Sequence, residues 1–340
     1  MKRFIFLLTL LALSSSGINA QTPETVTLTL AAYTTPREAY AEIIPLFQAY
    51  WLEETGQQVD FQESYLGSGS QSRAVAGGFE ADVVALSLER DVTRLVDAGL
   101  ITHDWQDNAY NGMVSTSLAV LVVRPGNPEE ITDWVDLARD GIEVLTPDPA
   151  TSGGAQWNFI AAYGVAERGY VTGYEDDAYG FVVDLLANVA VLDPGARESV
   201  ITYSQGIGDV LITYENEYYA GIAAGDEYDI VYPSSTILIE NPVAVVDIYA
   251  DEHGVKDVAQ AFVEFLYTEE AQSIFASKGY RPPVIPQEDT SLWAEGVLDE
   301  ERFPLVEDIF TVDYFGGWGE IGSTFFGEDG IYTLAIEEAQ

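Results

Sequence analysis

The sequence predicts an α/β protein of two lobes, each a mostly parallel sheet flanked by helices. Three observations carry that expectation. Strand-like apolar runs alternate with helical stretches along the whole chain, as parallel sheets covered by helices require. The length of 340 residues exceeds one ordinary domain, and 47% hydrophobic content is ample for more than one packed core. Several proposed strand-to-helix turns also carry small hydroxyl and glycine residues at the carboxyl ends of strands, where open α/β sheets collect ligands.

The elements follow in order. Lys2 and Arg3 precede an apolar run at 4–13 and a small-residue stretch ending at Ala20, so residues 1–20 read as a secretory signal peptide and the mature chain is expected in the periplasm. Nothing after it reaches the roughly 18 apolar residues of a membrane span. A strand at 26–32 runs into Thr34-Thr35-Pro36, read as a cap and a first-turn proline for a helix to about residue 55, which Pro45 should bend. A strand at 58–64 then leads through Gly67-Ser68-Gly69-Ser70 into a helix at 71–76. A strand at 81–86 and a helix at 89–98 stopped by Gly99 complete the first series.

A buried strand is expected at 118–123, a helix at 131–139 and a strand at 142–146, which enters Thr151-Ser152-Gly153-Gly154 and a helix to about residue 167. A helix at 176–188 and a strand at 189–192 lead to Asp193-Pro194-Gly195-Ala196-Arg197, the opening of another helix. The strand at 209–213 ends at Tyr214 before a short helix, and a strand at 237–247 precedes helices at 255–267 and 269–278. These elements assign 21–115 to the first lobe, 116–236 to the second and 237–340 back to the first, with C-terminal helices packing back. Phe310, Tyr314, Phe315 and Trp318 read mainly as packing.

Composition removes most chemistries. The absence of cysteine excludes disulfides, thiolate metal sites, a cysteine nucleophile and lipid attachment at a signal-peptide cysteine. A formal charge of −42, more negative still once Lys2 and Arg3 leave, repels nucleic acid and anionic lipid. His103 and His253 are the only histidines, no Gly-x-Ser-x-Gly turn is present and no calcium-loop spacing occurs, so no catalytic residue, metal or cofactor is expected. What remains is a set of neutral donors at Thr34, Ser68, Ser152 to Gly154 and Ala196, each at a strand-to-helix junction. One such turn alone more often only caps a helix. Several together suit a fully ionised anion, because helix N-termini leave N–H groups unpaired and present the positive end of the dipole. Arg37, Arg73 and Arg197 near these turns read as structural ion-pair partners.

The residues carry a family resemblance, through Arg37-Glu38-Ala39-Tyr40, Gly67-Ser68-Gly69, Ser152-Gly153-Gly154-Ala155-Gln156-Trp157-Asn158, Leu192-Asp193-Pro194-Gly195-Ala196-Arg197, Gly206-Ile207-Gly208-Asp209-Val210-Leu211-Ile212, Tyr280-Arg281-Pro282 and Phe315-Gly316-Gly317-Trp318. In these stretches, which span nearly the whole mature chain in order, it resembles the sulfate-binding proteins of ABC importers, a type II periplasmic binding-protein group. The resemblance implies a monomeric receptor that takes up dehydrated sulfate between its lobes and hands it to a membrane permease. Backbone N–H groups of Thr34, Ser68, Gly153, Gly154 and Ala196 and the hydroxyl of Ser152 would then be the donors. Thr34 stands where the family has aspartate, which keeps a main-chain donor, and Tyr214 stands where it has a tryptophan donor. Three alternatives stay open: a receptor for thiosulfate or another oxyanion, a ferric-ion receptor using Tyr218-Tyr219 as in ferric-binding proteins of the same broad fold, and a secreted hydrolase of sulfated or phosphorylated compounds.

Overall fold

The computed structural model describes residues 25–283 and 302–340; the expected signal peptide at 1–20 lies outside them. The first elements are β1 (Thr25–Tyr33), α1 (Arg37–Thr55), β2 (Gln58–Leu66), α2 (Ser68–Ala76), β3 (Val83–Ala85), α3 (Glu89–Asp97) and β4 (Met113–Val123). A 3₁₀ turn (Trp134–Ala138) leads to β5 (Val144–Pro147), α4 (Gly153–Glu167), α5 (Ala178–Ala187), β6 (Val189–Asp193), α6 (Ala196–Ser204), β7 (Val210–Tyr214), α7 (Glu215–Ala224) and β8 (Asp229–Val231). Then come β9 (Ser235–Val245), α8 (Asp247–His253), α9 (Lys256–Phe265), α10 (Glu269–Ser277), β10 (Asp308–Phe310), a second 3₁₀ turn (Val312–Phe315), α11 (Trp318–Phe326) and α12 (Ile331–Ala339).

The strands follow the order β2-β1-β3-β9-β4-β7-β5-β6, with β10 beside β9 and β8 beside β4. β1 pairs in parallel with β2 and β3, and β5 with β6 and β7, as alternating strands and helices predict. The antiparallel pairings all involve the two long strands at the centre. β4 pairs with β7, β8 and β9, and β9 with β3. β4 is buried along its whole length and β9 at every position but Glu240, as strands shared by two halves of a molecule should be.

Two cores result. In the first lobe α1 lays Phe47 on Phe262 of α9, ring centroids 5.1 Å apart and edge to face. In the second, α4 is buried almost all round, and Trp157 meets Trp318 edge to face at 4.6 Å. Arg281 crosses the junction of the two halves: its guanidinium donates from Nε and Nη2 to both carboxylate oxygens of Glu215, at 2.7 and 2.8 Å, with both side chains buried.

Several expectations need correction. Pro36 occupies the cap position of α1 rather than its first turn, and its carbonyl accepts from Ala39 and Tyr40. α1 then runs through Pro45 to Thr55, the end expected for it. Residues 131–139 supply only the 3₁₀ turn, closed by reciprocal Asp133 and Asp136 caps. α8 begins where a strand was expected to end. The C-terminal helices reach both halves: α11 meets α3 of the first lobe, where Arg90 lies over the Phe326 ring, while α12 lies against α5 and Trp318, Ile321, Phe325 and Ala335 join the core of α4 and α5. Phe310, Phe315 and Trp318 pack as expected, whereas Tyr314 is exposed, set edge to face with Phe310 and Phe315 and lying under the Arg168 guanidinium.

Candidate functional site

Four helix N-termini converge where the two lobes meet. α2 starts at Ser68 behind Gly67, α6 at Ala196 behind Gly195, and α7 at Glu215 with Tyr214 in the cap position. α4 starts at Gly153 and is capped by Ser152, whose Oγ accepts from the Ala155 N–H at 3.3 Å. Together with the turn after β1 they enclose a small cavity lined by Tyr33, Thr34, Thr35, Gly67, Ser68 and Ser87 on one side and Ser152, Gly153, Gly154, Ala196 and Tyr214 on the other. All of the sequence candidates, scattered from Thr34 to Tyr214, therefore line one cavity, from both sides.

The lobes approach closely here. A Cβ at Gly67 would stand 2.7 Å from the Thr151 carbonyl oxygen, and one at Gly153 2.7 Å from Ser87 Oγ. Only glycine permits that separation.

The cavity presents donors. Among the described residues no protein acceptor meets the N–H of Ser68, Gly153, Gly154 or Ala196, as first-turn geometry dictates. The Ser68 hydroxyl is otherwise engaged: it donates to Asp91 Oδ2 at 2.6 Å and accepts from the Ser87 N–H at 3.0 Å. Ser152 uses its oxygen as an acceptor, so its hydroxyl proton remains available to the cavity. Tyr214 OH and Ser87 Oγ are 2.6 Å apart across the lobes. Burial pushes the Tyr214 phenol well above its ordinary range, reinforced by Tyr33, so it stays neutral and keeps its proton.

No carboxylate lines this cavity among the described residues. The nearby cation is neutralised: Arg197 binds Glu38 at 2.6 Å and Glu217 at 2.9 Å. Burial raises the Glu217 carboxyl, and Arg197 opposes that rise. Arg197 is thus an ion-pair partner, as expected. Arg37 and Arg73 are not, among the described residues: Arg37 lies over the Tyr65 ring and Arg73 donates to the Ala150 carbonyl. An ion held here would be met by partial charges and N–H donors, each charge-assisted bond being stronger than a neutral one.

Tyr33, Thr35, Gly67 and Ser87 complete the lining and were not among the sequence candidates. Ser87 follows β3 at the same kind of strand-to-helix junction as the others, but no glycine marks it. Tyr218 and Tyr219 are not part of this cavity: Tyr218 packs beside the Tyr203 and Tyr228 cluster, and the Tyr219 hydroxyl donates to the Arg302 carbonyl. No group of three or more histidine or acidic side chains that could hold a metal occurs among the described residues. His103 and His253 each place Nδ1 2.7 Å from an aspartate, Asp247 and Asp82, away from the cavity lining.

Two α/β lobes joined by shared strands and meeting over a pocket of donors define the class: a solute receptor. The chain belongs to the bacterial extracellular solute-binding proteins, whose family profile matches residues 28–281. It is 44% identical to the sulfate-binding protein of Synechococcus elongatus over 94% of this chain and 88% of that one. It is 37% identical to the thiosulfate-binding protein of Pseudomonas aeruginosa, covering 88% of this chain and 89% of the relative. Among solved structures it is similar to the sulfate-binding protein SubI from Mycobacterium tuberculosis, with a TM-score of 0.78 at 39% identity, over 88% of this chain and 99% of that one. These relatives are named as binding proteins and not as enzymes. No described helix is long and apolar enough to cross a membrane.

Proposed function

We propose that this protein is a periplasmic receptor that binds one sulfate dianion between its lobes and delivers it, as a monomer, to the permease of an ABC importer. One observation carries the reading: among the described residues, unpaired N–H groups of α2, α4 and α6 converge with Ser152 on a cavity without a carboxylate. Such a lining favours an anion that carries no proton, since a protonated one would need an acceptor. Thr34, Ser68, Ser152, Gly153, Gly154, Ala196 and Tyr214 are the proposed ligand-binding residues. Lobe one comprises 21–115 and the returning segment from 237, and lobe two comprises 116–236. Closure is a hinge motion in the paired strands β4 and β9, around 115–119 and 234–242.

Calorimetry of the mature protein against sulfate, thiosulfate, molybdate and phosphate tests the assignment. Sulfate should bind one per chain and raise the melting temperature by mass action. An unchanged melting temperature at millimolar sulfate refutes the reading. The thiosulfate-binding relative favours thiosulfate as the second reading, and tighter binding of thiosulfate than sulfate would establish it.

A further inference from the structure

Beside the proposed sulfate cavity lies a second, more open recess of about 270 Å³, and Arg73, Arg90 and Arg94 all contribute to its wall. In a chain with 14 basic against 56 acidic residues, three arginines around one recess form a strong local reversal of sign. Their placement is graded. Arg73 on α2 is exposed, whereas Arg90 and Arg94 on α3 are half-buried.

Asp91 is the one carboxylate in the wall among the described residues, and its charge is already engaged. It accepts from Arg94 at 2.8 Å and from the Ser68 hydroxyl at 2.6 Å. Arg73 and Arg90 have no carboxylate within ion-pair distance among the described residues. Burial lowers the proton affinity of Arg90; Asp91 raises it, and Arg94 and Arg73 lower it further, so the three guanidiniums feel one another. Three guanidiniums against the one carboxylate of Asp91 leave the described wall of the recess net positive.

The recess also adjoins the closed site. Ser152 lines both cavities, Gly69 follows Ser68, and Arg73 reaches across the lobe boundary to the Ala150 carbonyl at 3.4 Å. Parting the lobes would break that long bond and open the recess toward the N-termini of α2 and α4.

We propose that this arginine recess is an entry site, which captures an arriving tetrahedral dianion and passes it to the interlobe cavity. The inference rests on the receptor reading above. Its physical basis is range: the Debye length is about 8 Å at physiological ionic strength, so the distant acidic surface is screened while three guanidiniums at the mouth still act. Guanidinium forks match an oxyanion's geometry and are weakly hydrated, which suits brief capture. The final cavity, with neutral N–H and hydroxyl donors and no guanidinium in its lining, then takes the ion dehydrated.

The test is the sulfate association rate, obtained as the dissociation rate from isotope chase divided by the calorimetric Kd. In the Arg73→Gln/Arg90→Gln double variant that rate should fall roughly ten-fold at low ionic strength, the lower end of electrostatic focusing effects. At ~1 M sodium chloride, where the Debye length is about 3 Å, the difference should close to under about twofold. The Arg73→Lys/Arg90→Lys variant keeps the charge and should arrive nearly as fast as wild type, which separates lost charge from lost folding. An association rate in the Gln variant equal to wild type overturns the entry site, as does a change confined to dissociation, which would make Arg73 a latch on closure. A wild-type protein that shows no sulfate binding refutes the receptor reading itself, so the two failures are distinct.

Discussion

Gly153 stands at the point where closure has least room, and Gly153→Ala measures how much depends on that room. A methyl group there would lie 2.7 Å from Ser87 Oγ and 3.0 Å from both Ser87 Cβ and Leu88 Cγ, all of them on the opposite lobe. Real Cβ contacts do not fall below about 3.0 Å, so the Ser87 and Leu88 side chains must shift or the lobes part, and overpacking of this kind costs about 1–3 kcal/mol. Sulfate affinity should therefore fall roughly 5-fold to 150-fold. The same substitution suits the first turn of α4, because alanine is favoured over glycine in a helix by about 0.5–1 kcal/mol. The ligand-free protein should accordingly melt no lower than wild type, while the upward shift produced by sulfate shrinks. Calorimetry gives the affinity and thermal melts with and without sulfate give the two stabilities. Replacing Ser87 with glycine in the Gly153→Ala background removes the two nearest serine atoms and should recover part of the loss, a coupling that a double-mutant cycle resolves. Wild-type affinity in Gly153→Ala would refute both the closed arrangement and the place of Gly153 in it.

Other perturbations have equally definite outcomes. Ser152→Ala removes the α4 cap, with a loss of about 1 kcal/mol in urea unfolding, and also a donor to the anion, with a calorimetric affinity loss of about 1.5–3 kcal/mol. Retention of both values would show that Ser152 neither caps nor binds. Tyr214→Phe breaks the 2.6 Å bridge to Ser87 and should weaken sulfate binding by about 1 kcal/mol, the worth of a neutral hydrogen bond; unchanged affinity would remove the hydroxyl from the site. Glu240, on β9 opposite Thr116 of β4, has its carboxyl pushed up from 4.5 to about 7 by burial, then by the charges of Asp313 and Glu89. The folded state thus holds that proton longer than the unfolded chain, so this group's contribution to stability declines as pH rises from about 4.5 through about 7. Glu240→Gln should exceed wild type by about 1–3 kcal/mol at pH ~8 and match it below pH ~4.5, measured by urea unfolding, since one pKa unit is about 1.4 kcal/mol. Parallel pH profiles for the two proteins would contradict this.

Much of the candidate site is legible without a structure because helix N-termini are local objects. Ser152 before Gly153-Gly154, Gly67 before Ser68 and Gly195 before Ala196 announce a helix start within one turn of chain, and the unpaired N–H groups follow from helix geometry alone. Alternation of strands and helices likewise exposes the parallel outer sheets. The same local reading misses Ser87, which lacks a glycine, and Tyr33 and Thr35, whose place at the cavity depends on how β1 meets the other lobe. It could not show that Asp91 holds the Ser68 hydroxyl, or that Arg73, Arg90 and Arg94 share one recess. Nor could it bring Trp318, Phe325 and Ala335 of α11 and α12 to the core of α4 and α5, because their apolar faces fit any uncovered core and only the positions of those helices select one. The sequence by itself determined where the donors are, because caps and turns take their energy from residues a few positions apart. Which donors face one another, and which side chains surround them, was decided by the antiparallel register of β4 on β9 and by burial between segments over a hundred residues apart, interactions that no short window of sequence contains.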